Sequence, residues 1–428
     1  MRLSDFIKNK TVKNAGWLIG GRIIQMIVNL IVGILMARYL GPSNYGLVNY
    51  GIAYTSFFST IASLGINSVL VKEFVDHPGE EGMIIGTSLF LRAISSFLSA
   101  LSIIGIVFVV DAGEPLTILV VALCSLGLVF HIFEVINFWF QSRLQSKVTA
   151  IVNLIAHTIT AIYKVVMMAT DISVVGFAFA TSVDYICIGL MLLYAYKKYN
   201  GGNFHISLSY GKELLKKSYH FILPGVMVAI YGQTDKIMLK QMVGSAETGY
   251  YSTAVHLSNA WCFVLTAIID SMYPSIMQAF QHSEEKFVKR NKQLYAIIIY
   301  ISVSASIMYT ILGRFMVNLM YGEAYLPVVA PLIIISWYTA LSYLGGARNA
   351  WVVCKNRQKY LTHVYAASAA VNVILNYLLI PEFGAVGAAA ASMVTQIMTI
   401  MVVPFLIKDL RENAIMMVEA VLLRGIKD

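Results

Sequence analysis

The chain has 428 residues, 58% hydrophobic and only 12% charged, with a formal net charge of +9. Soluble globular proteins carry about a quarter charged residues, so this composition, with a mean hydropathy of +0.73, excludes that class and makes a lipid bilayer the solvent. The cysteines Cys124, Cys187, Cys262 and Cys354 stand singly in or beside apolar runs, which excludes a disulfide framework or a Cys/His metal site.

Residues 1–14 form a basic start in which Leu3, Phe6 and Ile7 are spaced for one face of a short helix at the membrane interface. No convincing cleavage site follows, so the first apolar run reads as an uncleaved span. Apolar runs of about the 20 residues needed to cross hydrocarbon then recur at roughly 15–38, 47–71, 83–110, 115–140, 148–169, 173–196, 218–242, 248–278, 293–313, 326–350, 360–380 and 384–407. The expected fold is therefore an all-α integral membrane protein with twelve transmembrane helices.

Lys and Arg alternate between the loops. The N-terminus and the loops holding Lys72, Arg143, Lys197, Lys216, Lys289 and Arg357 are basic, as is the tail with Lys408, Arg411 and Arg424; the intervening loops hold Asp111, Glu114, Asp171, Glu247, Glu323 and Glu382. The positive-inside rule then places both termini in the cytoplasm. Because the positive charge is distributed in this way, it speaks for membrane topology and against nucleic acid as a partner.

The basic loop at 197–217 divides the spans into two sets of six: an N-terminal lobe over 1–200, a cytoplasmic linker over 201–217 and a C-terminal lobe over 218–408. The tail, 409–428, contains IMMVEAVLL and reads as an interfacial helix or a frayed extra span. The lobes carry traces of a repeat. At an offset of 203 positions, Gly41 and Gly46 of LGPSNYG fall on Gly244 and Gly249 of VGSAETG; near the end of each lobe VVGFAFATS from Val174 resembles AVGAAAASM from Ala385. Six spans per lobe is an even number, so the lobes are parallel and related by an axis along the membrane normal.

Polar stripes mark where function could reside. Ser252, His256, Asn259, Thr266 and Asp270 share one helical sector, and Asn49, Ser56, Ser63 and Asn67 share the same sector of the earlier copy. Arg22, Gln25 and Asn29 make a stripe on the first span, and Asn153, His157, Thr160 and Lys164 make one on the fifth. Further polar or charged residues within spans are Arg92, His131, Glu134, Asp184, Asp235, Lys236, Lys240, Arg348, Asn372 and Asn376. Each intramembrane charge costs about 2.5–3.5 kcal/mol even on insertion scales, so each needs an interior or a water-filled cavity. For Arg92, Lys240 and Arg348, snorkelling from a helix end to the headgroups is the competing expectation. Walker, HExxH and GxSxG motifs are missing, so an enzyme is not expected and no cofactor is implied.

Twelve spans, ARYLGPSNYGLVNY at 37–50, DKIMLKQMVGSAETGYYSTA at 235–254 and the VGxAxA-type endings together resemble the polysaccharide-biosynthesis and O-antigen repeat-unit flippases of the multidrug/oligosaccharidyl-lipid/polysaccharide exporter superfamily. The resemblance implies two six-helix lobes around a central cleft lined by the first, second, seventh and eighth spans. It also implies alternating-access transfer of an undecaprenyl-pyrophosphate-linked oligosaccharide to the periplasmic leaflet of a bacterial inner membrane. Polysaccharide polymerase and glycosyltransferase are the candidate partners, beside membrane lipids. Positive side chains in a cleft suit a pyrophosphate headgroup, which nominates Arg22 and Lys236, with Gln25, Asn29, Asn49, Asn67, His256 and Asn259 as further substrate-binding candidates. Asp184, Asp235, Asp270 and Lys164 are the candidates for charge pairing or coupling. Lipid II flippases of that superfamily usually have fourteen spans, which argues against a peptidoglycan precursor. A cation-coupled multidrug exporter is the alternative, kept open by the three acidic residues; a membrane polymerase or ligase would need a large periplasmic loop that the sequence lacks.

Overall fold

The computed structural model describes the backbone of residues 10–199 and 201–425; of the side chains before Ile23 it describes those of residues 20 and 21 alone. The chain packs as two compact units, one comprising the residues up to Leu40 with Leu47–Gln233, the other Gly41–Gly46 with the residues from Thr234 onward. Among the described residues, nine helical stretches are long and apolar enough to cross a bilayer. The chain is a multi-pass helical membrane protein.

Helix α1 (Lys10–Ala62) is interrupted at Gly41, whose φ of 71° and ψ of 170° are not helical. The sequence dictates that break, because Pro42 disfavours a helical residue before it and glycine alone takes the positive φ without strain. A second break at Leu64 and Gly65, both at positive φ, separates α1 from α2 (Asn67–Asp76). Then come α3 (Glu81–Val110), α4 (Pro115–Ser125), α5 (Gly127–His131), a 3-10 turn at Ile132–Glu134, α6 (Val135–Ser142), α7 (Ser146–Ala169) and α8 (Val174–Lys198). The core of this unit gathers Trp139, Phe140 and Tyr196 with Ile84, Ile136 and Leu192.

The polar stretch after α8 lies across the start of α3. His205 N donates to Gly82 O at 3.1 Å, and Ser207 N donates to Thr87 Oγ1 at 3.0 Å. The approach requires glycine, since a Cβ at Gly82 or Gly86 would stand 2.2 or 2.4 Å from a backbone oxygen. Helix α9 (Leu208–Met242) is tied down at its start by Glu73, which accepts from Tyr210 Oη at 2.9 Å and from Lys217 Nζ at 3.1 Å.

The second unit contains α10 (Ser245–Asn259), α11 (Phe263–His282), α12 (Glu284–Tyr321), a 3-10 segment at Glu323–Val328, α13 (Val329–Cys354) and α14 (Gln358–Ile397). A π-turn at Met398–Val402, α15 (Val403–Leu406) and α16 (Lys408–Val421) complete it. Gly384 interrupts α14 at φ 53°, ψ −130°, and Glu247 Oε2 accepts from Ala385 N at 2.7 Å. A carboxylate there satisfies an orphan N–H where the helix resumes and favours its dipole. Helix α16 buries Leu410, Met417 and Ala420, Asn413 Nδ2 donates to Tyr295 Oη at 2.6 Å, and Lys292 pairs with Glu419 at 2.7 Å. The tail is thus a docked helix of this unit.

Within the second unit the repeated turns pack on each other. A Cβ at Gly46 would lie 1.8 Å from Ser245 O, and one at Gly249 would lie 2.0 Å from Pro42 O. Pro42 and Gly46 are the residues that the 203-position offset aligns with Ser245 and Gly249, so each copy meets the other through equivalent positions, as surfaces related by a two-fold do.

Candidate functional site: buried polar clusters in each unit

In the first unit the α7 stripe faces α8. His157 Nδ1 lies 2.8 Å from Asp184 Oδ1, and Thr160 Oγ1 donates to the same oxygen at 3.1 Å. The other ring nitrogen of His157 meets the side-chain amide of Gln25, and Lys164 stands within the field of Asp184. His157 and Thr160 reach one carboxylate, with Lys164 on the same side of the helix, because residues three, four and seven apart share a helix face. His157 and Asp184 are each 17% exposed, so the cluster is neither sealed nor at the surface. It offers a carboxylate with an imidazole, an amide and an ammonium group around it, a set that can bind an anionic group or exchange a proton.

A second cluster forms where helices break. Arg92 on α3 is wholly buried. Its Nη1 donates to Asn67 Oδ1 at 3.1 Å and its Nη2 to Glu134 Oε2 at 3.3 Å; Nη2 also reaches His131 O at 3.3 Å. Asn67 Nδ2 donates to Glu134 Oε2 at 3.2 Å, and His131 Nε2 is 3.4 Å from that oxygen. Asn67 opens α2 after the Leu64–Gly65 break, and Glu134 ends the 3-10 turn, so both discontinuities converge on one guanidinium.

The second unit is centred on Asp235 of α9, which is 4% exposed. Tyr251 Oη donates to Oδ2, Ser392 Oγ donates to the same oxygen at 2.6 Å, and Asn376 Nδ2 donates to Oδ1 at 2.6 Å. Asn376 also donates to Asn372 Oδ1 at 3.1 Å. Three neutral donors surround the carboxylate; Lys236, part-exposed, lies within its field. In the π-turn that follows α14, Thr399 Oγ1 donates to Ser368 Oγ at 2.6 Å, and the buried Arg348 donates through Nη1 to Thr399 O at 3.3 Å.

The structure thus brings Gln25, Asp184 and Lys164 together, places Asn67 against Arg92, and puts Lys236 beside Asp235. Asn49 and His256 are part-buried, each with an interaction of its own. Asn29, Asn259 and Asp270 are exposed, Asn259 Oδ1 accepting from Cys262 Sγ at 3.8 Å. The Arg22 side chain lies outside the described residues. Arg92, Lys240 and Arg348 are buried, so none of the three snorkels to the headgroups. Sequence reasoning missed Tyr251 and Ser392 as partners of Asp235; Ser392 is the penultimate residue of the AVGAAAASM repeat, and that position was the available signal. Among the described residues no three His, Cys, Asp or Glu side chains are grouped to hold a metal ion.

The protein-family model described as "Polysaccharide biosynthesis protein" matches residues 11–280. The capsular polysaccharide biosynthesis protein CapF of Staphylococcus aureus is 21% identical over 90% of this chain and 96% of its own. A putative O-antigen transporter of Escherichia coli is 21% identical over 84% of this chain and 88% of its own. Among solved structures, the lipid II flippase MurJ in an inward closed conformation superposes with a TM-score of 0.71 at 14% identity, covering 94% of this chain and 91% of that one. An inward-facing multidrug resistance transporter of the MATE family superposes equally, at 0.71 and 14%, over 91% and 96%. These likenesses show the fold.

Proposed function

The chain belongs to the polysaccharide biosynthesis protein family, and from that premise we propose that it is a flippase for a lipid-linked oligosaccharide. It moves an undecaprenyl-pyrophosphate-linked repeat unit from the cytoplasmic to the periplasmic leaflet of a bacterial inner membrane by alternating access, for O-antigen or another surface polysaccharide. The observation that carries the reading is the intramembrane cluster of Gln25, His157, Asp184 and Lys164. Ionisable groups inside membrane helices are functional by default, because their cost must be repaid. The names of the two curated relatives point to the same substrate class.

Twelve spans with both termini cytoplasmic fit this reading. Two of the nine apolar stretches are interrupted by Gly41 or Gly384 and count twice, and the less apolar α9 adds one. Arg22, Lys236, Gln25, Asn29, Asn49, Asn67, His256 and Asn259 are the residues we assign to the substrate, the two cations to its pyrophosphate. Asp184, Asp235, Asp270 and Lys164 serve charge pairing or coupling. Polysaccharide polymerase and glycosyltransferase are the partners that this role would require.

A second reading, a cation-coupled multidrug exporter, is favoured by the equal similarity of the fold to the MATE transporter. Proteoliposomes holding the purified chain and a labelled lipid-linked oligosaccharide separate the two. Transfer between leaflets, abolished by Arg22→Ala in a protein that still inserts, supports the flippase. Absence of transfer together with efflux of cationic dyes supports the exporter.

A further inference from the structure

Arg348 on α13 is 0% exposed, and two of its three nitrogens, Nε and Nη2, have no hydrogen-bond partner. Its one bond goes from Nη1 to the backbone carbonyl of Thr399 in the π-turn. Among the described residues no carboxylate pairs with it, although Arg92, the other fully buried arginine, has Glu134 at 3.3 Å. A guanidinium cannot shed its proton in a protein, and a lone cation in a low-dielectric interior is costly unless a counter-charge is present. A carbonyl dipole on one nitrogen does not neutralise a full positive charge. A further donor in the same helix is also unsatisfied: Trp351 Nε1, 1% exposed and without a partner, lies three residues on, hence on the same helical face.

We propose that the second unit holds a small monovalent inorganic anion of the halide class at Arg348. The unsatisfied atoms are donors, as an anion requires and a cation forbids. One negative charge balances one guanidinium, whereas sulfate or hydrogen phosphate would replace an uncompensated cation by an uncompensated anion. Full burial excludes a lipid headgroup. The anion takes, in this unit, the place that Glu134 takes in the other, and the inference stands independently of the transported substrate.

The test uses the full-length protein, purified and reconstituted in nanodiscs, titrated with sodium chloride against sodium gluconate at constant ionic strength. The expected result is a saturable rise of a few degrees in the unfolding midpoint with chloride or bromide, absent in Arg348→Gln. No halide-specific shift, or a shift retained in Arg348→Gln, overturns the proposal. Should that variant fail to fold, bromide anomalous scattering from the unsubstituted protein decides. A peak within hydrogen-bond distance of the Arg348 guanidinium supports the site; ordered water bridging Arg348 to Asn413 Oδ1, itself without a partner, and no bromide there overturns it.

Discussion

Each unit buries an arginine and sets an aspartate among polar partners, sealed at Asp235 and part-exposed at Asp184, and the two units compensate them differently. In the first, Arg92 is neutralised by Glu134 and Asp184 has His157 and Lys164 beside it. In the second, Asp235 is held by three neutral donors, and Arg348 meets only a carbonyl. The cause is local. Arg92 gains Asn67 and Glu134 because two neighbouring helices break at its level, whereas the π-turn beside Arg348 turns a carbonyl toward it. The Arg92 charge is paired in place, whereas the Arg348 and Asp235 charges meet dipoles.

The largest effect is expected from breaking the paired arginine. Glu134→Ala leaves Arg92 buried and uncompensated and should destabilise the protein by about 3–5 kcal/mol, measured by denaturant unfolding in detergent. The double variant Arg92→Leu/Glu134→Leu should recover most of that loss; a double variant no more stable than Glu134→Ala would mean that the two residues do not act as a pair.

The repeated turns sharpen the comparison at a site where equivalent residues meet. Gly46→Val or Gly249→Val places a branched side chain where even a Cβ would lie 1.8 or 2.0 Å from a backbone oxygen, and overpacking should cost about 1–3 kcal/mol or more. Gly105, which has nothing within 4 Å, supplies the control: Gly105→Ala within α3 should be neutral or stabilising by up to ~1 kcal/mol. Equal losses at Gly105 and Gly249 would remove the close packing of the turns as the explanation.

Asp235→Asn keeps the shape of the carboxylate and removes its charge, while one amide proton must then face donors. The expected loss is about 1–3 kcal/mol, smaller than that of Glu134→Ala because no opposite charge bonded to Asp235 is stranded. Asp184→Asn should spare folding more and transport less, since its cluster is part-exposed. Leaflet-transfer rates and unfolding midpoints of the two variants, compared side by side, check both expectations; a larger midpoint loss for Asp184→Asn would reverse the assignment of roles.

The helical, multi-pass fold was legible because bilayer thickness imposes a run length on the sequence, and the LGPSNYG turn was legible because Gly-Pro forces a break. The α7 stripe was legible too, since His157, Thr160 and Lys164 repeat at helical spacing. The Arg92 cluster was not. Its members lie on four separate stretches, and Leu64 at positive φ has no sequence signature. Ser392 follows a run of four alanines and read as one more small residue of the repeat, and Tyr251 read as one more aromatic residue of a membrane helix. The docking of α16 could not be foreseen because an amphipathic segment covers lipid and protein with the same residue types.

The smallest expected effect lies at the start of α9, in the segment that the sequence reads as a linker. Lys217 Nζ bonds Glu213 Oε1 at 2.9 Å and Glu73 Oε1 at 3.0 Å. The bond to Glu213 holds Lys217 above the usual lysine range, with burial opposing and Glu73 adding; the bond and charge of Lys217 hold Glu213 below the usual carboxylate range. The depressed carboxylate contributes stability that is present above its unfolded value and lost as pH falls through the folded one. The raised lysine contributes stability that is full below its unfolded value and lost as pH rises through the folded one. The staple should therefore be indifferent to pH across the neutral range and weaken only at its acid and alkaline ends. Exposed pairs are screened by solvent and salt, so Glu213→Gln should flatten the acid limb of the unfolding midpoint against pH only slightly. Lys217→Gln should do more, because it strips Glu73 of its cation while Tyr210 remains. A step in the midpoint near neutral pH that Glu213→Gln removes would contradict this account of how the start of α9 is held.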